Sequence, residues 1–267
     1  MSAATQPQLL DMAAEAWQMH ARIATEQDGA VVPSMPILFF GDLARYEASR
    51  LRVITVGLNP SDEEFPREDP WRRFPGGAQL NADELDRPSL ARYVDELSRY
   101  FEVAPYRRWF DRSFEPLLHG LNASYYPQAA NVALHTDIAS PVPTTPTWSE
   151  LSPARRALHR GGAARWRRLA DLLAPDVIVV SVAREHLAAI STLPFSEWSE
   201  LTRVDRERPF VVSTTQMHVG GGGKSAVVVF GRCTNVPFGS VSFPKREWIG
   251  TQIASYLETM TPEPAAS

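Results

Sequence analysis

Residues 51–61, LRVITVGLNPS, decide the fold, because an apolar run stops abruptly at a glycine and a polar Asn-Pro-Ser turn follows. A short apolar run bounded by turn residues is typical of a strand buried on both faces, as in a parallel sheet covered by helices. Open α/β sheets bind ligands at the carboxyl ends of their strands. We therefore predict that Asn59 lies where a substrate docks.

The rest of the chain alternates between strand-like and helix-like segments. Further strands are predicted at residues 131–136, 176–182, 210–214 and 226–230. Apolar residues recur at helical spacing in residues 9–24, 89–101, 106–121, 163–173, 184–190 and 245–260. This alternation favours an α/β fold, and we predict one three-layer α/β/α domain around a mainly parallel sheet. The domain is expected to span residues 1–260, with residues 261–267 as a disordered tail.

Composition limits the class of protein. With 267 residues, 44% of them hydrophobic, the chain can form a substantial core. No run of eighteen apolar residues occurs, and the N-terminus lacks the pattern of a secretory signal, so a cytoplasmic protein without a membrane anchor is expected. The single cysteine, Cys233, excludes a disulfide framework and a four-cysteine iron–sulfur cluster. The six histidines show no metal-ligand spacing, and we predict no metal or organic cofactor.

Charge is distributed unevenly. The net charge of −4 is unfavourable for binding the DNA backbone. Basic residues nevertheless cluster at residues 106–109, 155–156, 165–168 and 245–246. These clusters predict a local basic face, and solvated helix surfaces remain the alternative.

The motif GLNPS at residues 57–61 resembles the water-activating motif of the uracil-DNA glycosylase superfamily, in particular its mismatch-specific and single-strand-selective branches. Residues 131–141, 175–181 and 235–242 fall where that family has its base-reading strand end, third strand and second active-site motif. The resemblance covers most of the chain. It implies the α/β/α fold of the family and a DNA glycosylase that flips its target base out of DNA. No protein partner is indicated.

The resemblance assigns the water-positioning role to Asn59, whose amide oxygen would hold water in line with C1′ of the nucleotide. An Asn-Pro turn that merely ends the strand is the alternative. Gly57 and Leu58 are expected beside the base. Phe74 is expected to stack on it, although core packing remains open.

Three further residues of the same turn, Asp62, Glu63 and Glu64, offer a general base. The Asn-containing branches of the family otherwise lack one. A solvated acidic turn is the favoured interpretation of these carboxylates.

Thr136 and Asp137 occupy the position of the base-reading strand end. Uracil-reading members of the family place an Asn near here, whereas a carboxylate only accepts hydrogen bonds. Asp137 suits the exocyclic amine of cytosine, or hydroxyl groups, and would repel O4 of uracil. The hypothesis is therefore a modified cytosine, and a cap on the next turn is the alternative role of Asp137.

The second motif departs from the family, because the usual histidine that binds the oxyanion of the departing base is absent. Asn235 or backbone N–H groups would replace it. Phe238 is predicted to be the wedge that fills the vacated base stack, and a buried Phe in a Pro-Gly turn is the alternative. Other DNA contacts are expected from residues of the two motifs: Ser61, Pro237, Gly239 and Ser240.

The sequence of residues 220–225, GGGGKS, does not match a phosphate-binding loop. His218 occupies the position where this pattern requires its first glycine, and a strand follows instead of a helix. A flexible hairpin or a loop on the DNA backbone is expected here. A nucleotide-dependent enzyme is the remote alternative.

Together these observations predict a monofunctional DNA glycosylase that leaves an abasic site, since no lysine is placed to attack C1′. Some bacterial members of the superfamily defend against phages by excising glucosylated hydroxymethylcytosine, and the chain is compatible with that role. The alternatives are a repair glycosylase for uracil or mismatched thymine, and a non-catalytic binder of modified DNA.

Overall fold

A computed structural model describes residues 5–25, 29–82, 85–191, 193–221, 223–234 and 236–260. The strands in these ranges are β1 (Val53–Gly57), β2 (Ala123–Ser124), β3 (Asn131–Val132), β4 (Leu134–Asp137), β5 (Val177–Val180), β6 (Ser199–Val204), β7 (Phe210–Val219) and β8 (Lys224–Gly231). The α-helices are α1 (Thr5–Thr25), α2 (Leu43–Ala48), α3 (Arg87–Ser98), α4 (Tyr100–Val103), α5 (Arg107–Phe110), α6 (Glu115–Gly120), α7 (Pro153–Leu158), α8 (Gly162–Leu173) and α9 (Phe243–Met260). The predicted tail, residues 261–267, lies outside the described residues.

A six-stranded sheet with the order β4-β1-β5-β8-β7-β6 forms the centre of the fold. The four strands β4, β1, β5 and β8 are parallel, and β7 and β6 add antiparallel pairs at one side. Strand β1 is buried at every position, as its largely apolar sequence predicts. The predicted α/β class with a mainly parallel sheet is confirmed.

Helices cover both faces of this sheet. Neighbouring residues of β4 point to opposite faces, because side chains alternate along a strand. On one face, Thr136 meets Trp166 of α8, at 3.0 Å between the hydroxyl oxygen and the indole nitrogen. On the other face, His135 packs against Trp109 and Phe110 of α5.

Some predicted elements differ from the structure. The single helix predicted at residues 106–121 is two short helices, α5 and α6, and Pro116 occupies the first turn of α6. Proline is tolerated there but not in a helix interior, because it lacks a backbone N–H. The predicted helix at residues 184–190 is a 3₁₀ helix, Arg184–Ala189, instead of an α-helix. Strand β6 escaped prediction because its polar sequence, SELTRV, is typical of an exposed sheet edge.

Gly220 and Gly221, with φ angles of 67° and 75°, lie in the turn between β7 and β8, and Gly222 lies outside the described residues. Strand β8 runs parallel to β5 and starts at Lys224, so this turn lies at the amino edge of the sheet. Lys224 fixes it there, with Nζ 2.7 Å from Asp176 Oδ1. The turn therefore lies at the opposite edge from Asn59.

No helix in the described ranges is both long and apolar enough to cross a bilayer. The same ranges contain no group of three or more His, Cys, Asp or Glu side chains placed to hold a metal ion.

Candidate active site

The exits of β1 and β4 lie side by side at the carboxyl edge of the sheet. Gly57 is in register with Asp137. Pairing continues beyond the strands, because the N–H of Ile138 donates to Gly57 O at 3.1 Å and that of Ala139 donates to Leu58 O at 2.9 Å. The polar ends of the two strands, Asn59 and Asp137, are thereby held at one edge, as the sequence predicted.

The amide of Asn59 is anchored through its nitrogen. Nδ2 donates to Pro60 O at 2.7 Å and to Thr144 Oγ1 at 2.8 Å, which uses both of its hydrogens. Within the described residues no hydrogen bond occupies Oδ1. The side chain is half-buried and presents a fixed acceptor, which is what holding a water molecule requires.

The irregular segment that follows β4 clamps the Asn-Pro-Ser turn. Thr144 is fully buried, and its N–H donates to Pro60 O at 3.1 Å. Thr144 also forms a β-bridge with half-buried Ser61. Thr145 adds a hydroxyl bond to Asp62 Oδ2 at 3.1 Å. The sequence alone does not identify Thr144, because nothing in it links this residue to a turn more than eighty residues earlier.

Gly57, His135 and Asp137 form a compact floor beside Asn59. A Cβ atom placed on Gly57 would lie 2.7 Å from Asp137 Oδ1 and 2.9 Å from His135 Nε2. Glycine is therefore required for close approach of the carboxylate and the imidazole to the backbone.

Replacing Gly57 with alanine is expected to lower the free energy of unfolding by about 1–3 kcal/mol, because the added methyl group must displace Asp137 or His135. Urea unfolding measures the change. Gly223→Ala is the matched control, since a Cβ atom there meets nothing within 4 Å. Equal stability of the two variants would show that the floor is not tightly packed.

Asp137 is a buried carboxylate without a hydrogen-bond partner among the described residues. Its side chain is 5% exposed, and Oδ1 lies 3.7 Å from His135 Nε2, beyond hydrogen-bond range. The next two backbone N–H groups bond to Gly57 and Leu58 instead of to Asp137. The capping alternative therefore finds no support, and a buried polar group of this kind calls for another explanation, such as a ligand.

His135 lies in an aromatic cage and is bound through its other nitrogen. Nδ1 lies 2.7 Å from Thr55 Oγ1, and this hydroxyl lies 2.6 Å from Tyr125 OH. The ring centroids of the surrounding aromatic residues lie 5.0–6.4 Å from that of the imidazole; these residues are Phe40, Trp109, Phe110, Phe114 and Tyr125. Sequence reasoning missed His135, although the two-residue period of a strand places it on the same face as Asp137.

Of the three acidic residues after Ser61, only Glu64 is buried, while Asp62 and Glu63 are exposed. The hydroxyl of Tyr100 donates to Glu64 Oε2 at 2.6 Å, and Arg73 Nε lies 3.7 Å from the same oxygen. Burial raises the pKa of Glu64 to about 7. Asp137 contributes to that rise by charge repulsion, so the two carboxylates interact. An acid that titrates near neutrality is suited to proton transfer.

Two predicted base contacts are corrected by the structure. Phe74 is fully buried between Phe65 and Tyr100, each with its ring centroid 5.4 Å away. It therefore packs in the core and offers no free face to a base. Thr136 points to the opposite face of the sheet, where its hydroxyl donates to Thr55 O at 3.2 Å and accepts from Trp166. Its role is to join β4 to β1 and α8.

The predicted wedge is also corrected. Phe238 is fully buried with a φ of 53°, and its ring occupies the space left by Gly231, where a Cβ atom would collide with it. Its N–H donates to Ser181 Oγ at 3.2 Å. Phe238 is therefore a core residue, which was the alternative interpretation of this turn.

The other residues of the second motif are divided between core and surface. Pro237 is buried, whereas Gly239 and Ser240 are half-buried. Ser240 accepts from Arg206 Nη1 at 2.6 Å through its carbonyl oxygen. Asn235 lies outside the described residues, and its predicted role stays a prediction.

Several members of the predicted basic face have structural partners. Arg168 Nη1 lies 2.8 Å from Glu15 Oε2, and Arg165 is 4.0 Å from the same carboxylate. Arg246 is 4% exposed and donates to Val241 O at 2.8 Å. These arginines join helices and loops, so they do not form a free DNA-binding surface.

A cleft of about 500 Å³ opens beside the Asn59 turn. Asp62 and Thr145, which hold that turn, both line it, together with Phe65 and Arg67. Asn59, His135 and Asp137 are not among its lining residues, so the cleft adjoins the turn and does not include the floor of the site.

Comparisons with protein-family models and with curated protein sequences find no match to this chain.

Proposed function

We propose that the protein is a monofunctional DNA glycosylase with a fold of the uracil-DNA glycosylase type, which hydrolyses the N-glycosidic bond of a flipped, modified pyrimidine. The anchored amide of Asn59 carries this proposal. Its nitrogen is held by Pro60 and Thr144, so its oxygen is left as a pre-positioned acceptor for one water molecule. Positioning of this kind converts a bimolecular attack into an effectively unimolecular one.

In the proposed reaction the bond between C1′ and the base nitrogen breaks first, and its electron pair leaves with the base. The water held by Asn59 then adds to the oxocarbenium-like sugar and loses a proton, which leaves an abasic site. Neither lysine of the chain supports a covalent route, because Lys224 is bound at the opposite edge of the sheet and Lys245 lies over Trp248 in α9. The reaction requires no metal ion or organic cofactor.

Glu64 is the proposed proton acceptor for that water. It is the fifth residue after Asn59, at the end of the 3₁₀ turn Asp62–Glu64, and its buried carboxylate accepts a hydrogen bond from Tyr100. A pKa of about 7 allows it to take a proton from the water and release it to solvent or to the departing base.

A variant with Glu64 replaced by glutamine separates this role from a structural one. The native pKa of about 7 lies above the ordinary value of 4.5, so the stabilising contribution of Glu64 is complete below pH 4.5 and is lost as the pH rises to 7. Glu64→Gln is therefore expected to raise the free energy of unfolding at pH 8 by up to about 3 kcal/mol. The same variant is expected to lose base release, because an amide accepts no proton. Unfolding curves and release rates across pH 5–9 on identical samples measure both effects; full activity in the variant would exclude Glu64 as the base.

Asp137 supports a cytosine derivative as the target. A carboxylate accepts from the exocyclic amine of cytosine and repels the O4 carbonyl of uracil. The adjoining cleft has acidic residues, Asp62 and Glu63, that accept from hydroxyl groups, and its volume of about 500 Å³ suits a bulky substituent. Glucosylated hydroxymethylcytosine of phage DNA has these features, and its excision would serve antiviral defence.

The first test offers the purified protein three DNA substrates: unmodified DNA, DNA containing uracil, and phage DNA containing glucosylated hydroxymethylcytosine. Alkaline cleavage then reports abasic sites. Cleavage confined to the phage DNA is the expected result. Cleavage of uracil DNA alone would identify a repair enzyme, and binding to phage DNA without any cleavage would identify a non-catalytic reader of modified DNA.

A further inference from the structure

Thr55 is the centre of a buried hydrogen-bond chain beneath the site. Its hydroxyl lies 2.6 Å from Tyr125 OH and 2.7 Å from His135 Nδ1. Thr55 and Tyr125 are fully buried, and His135 is 2% exposed. The glycosylase reaction proposed above does not use these hydrogen bonds.

The direction of each bond in the chain follows from the number of available hydrogens. Tyr125 has one hydroxyl hydrogen, and Thr55 is its only hydrogen-bond partner among the described residues, so Tyr125 donates to Thr55. The hydrogen of Thr55 then goes to His135 Nδ1 at 2.7 Å in preference to Leu134 O at 3.5 Å. Nδ1 is thereby an acceptor, and the ring proton of the neutral imidazole lies on Nε2.

The other side of the ring leads to the same assignment. Nε2 faces Asp137 Oδ1 at 3.7 Å. A proton on Nε2 is attracted by this carboxylate, whereas a lone pair on the same atom would be repelled in a site that excludes most water.

We propose that Tyr125 and Thr55 are positioning residues that hold His135 as its Nε2–H tautomer, so that His135 Nε2–H and the Asp137 carboxylate read the edge of the flipped base as a donor–acceptor pair. The base-reading role of His135 and Asp137 rests on the glycosylase function proposed above. The tautomer of His135 does not depend on that function.

The pair matches the chemistry of an aminopyrimidine edge. In cytosine and its derivatives, N3 accepts a hydrogen bond and the adjacent N4 amine donates one. His135 would donate to N3 while Asp137 accepts from N4. Gly57 leaves the space in which both groups lie against the backbone, which fixes their order along that edge.

The tautomer is tested by ¹⁵N NMR of the histidine rings in the full-length protein, which distinguishes protonated from unprotonated ring nitrogens. We expect an unprotonated Nδ1 and a protonated Nε2 for His135. Thr55→Ser keeps the hydroxyl and is expected to keep this pattern, whereas the isosteric Thr55→Val removes the donor to Nδ1 and is expected to add a fraction of the Nδ1–H form. A protonated Nδ1 in the unaltered protein would overturn the assignment, whether or not the protein releases any base.

The reading role is tested with the same two variants on DNA containing the modified cytosine. We expect Thr55→Val to lower kcat/KM about tenfold, the effect of one poorly formed base contact, and Thr55→Ser to remain close to the unaltered protein. An unchanged kcat/KM in a Thr55→Val protein whose tautomer has shifted would overturn the reading role. If the unaltered protein released no base from any DNA, the reading role would fall with the proposed function, and the NMR result would stand separately.

Discussion

Replacing Asn59 with alanine is expected to lower the rate of base release about 10²–10³-fold, the usual cost of removing one pre-positioned polar group from an active site. The variant should bind its DNA as well as the unaltered protein does, because the amide oxygen acts on the attacking water and not on the duplex. Single-turnover release of the base and equilibrium DNA binding, measured on the same preparation, separate the two effects.

Two further variants serve as comparisons for Asn59→Ala. Thr144→Val removes one of the two acceptors that anchor the amide nitrogen, and an intermediate loss of rate is expected. Gln216→Ala lies on an exposed position of β7 and is the matched control with no expected effect. Full activity of Asn59→Ala would remove this residue from the mechanism.

Exchanging Asp137 for asparagine is expected to change which base is released. The amide can donate a hydrogen bond, whereas the carboxylate only accepts. The variant can therefore bind a carbonyl oxygen such as O4 of uracil. A good pair of base contacts discriminates by about 1–3 kcal/mol. The ratio of release rates for modified cytosine over uracil should therefore fall roughly 10–100-fold.

Competition between the two DNA substrates in one reaction measures this ratio directly. Asp205→Asn, in the exposed loop between β6 and β7, removes the same charge away from the site and should leave the ratio unchanged. If Asp137→Asn lowered both rates equally, the carboxylate would support the fold instead of reading the base.

The position of Asn59 was predictable because it depends on local sequence. An apolar run ending in Gly-Leu-Asn-Pro-Ser defines both a buried parallel strand and its exit, and topology places such exits together. Asp137 was predictable for the same reason. Thr136 was misassigned because the residues of a strand alternate between faces, and the pattern alone did not show which face carries the site.

The aromatic residues were harder to assign, because burial of a phenylalanine depends on distant partners. Phe74 is covered by Phe65 and Tyr100, and Phe238 fills the space above Gly231. A Phe that stacks on a base and one that packs in a core have the same sequence signature.

The burial and pairing of charged residues also depend on partners that are distant in the sequence. Glu64 follows two exposed acidic residues, and its burial depends on Tyr100, which is 36 residues further along the chain. Arg165 and Arg168 of α8 were predicted to belong to a basic face, but Glu15 of α1 binds them. Pairings over such distances arise from tertiary structure, which residue spacing does not encode.

The most direct test of the central claim, hydrolysis at C1′ by a water held on Asn59, is a reaction in ¹⁸O-labelled water with mass spectrometry of both products. We expect glucosylated phage DNA to release an intact, unlabelled modified base and the label to appear in the abasic sugar. Label in the released base, or transfer of the sugar substituent without release of any base, would contradict it.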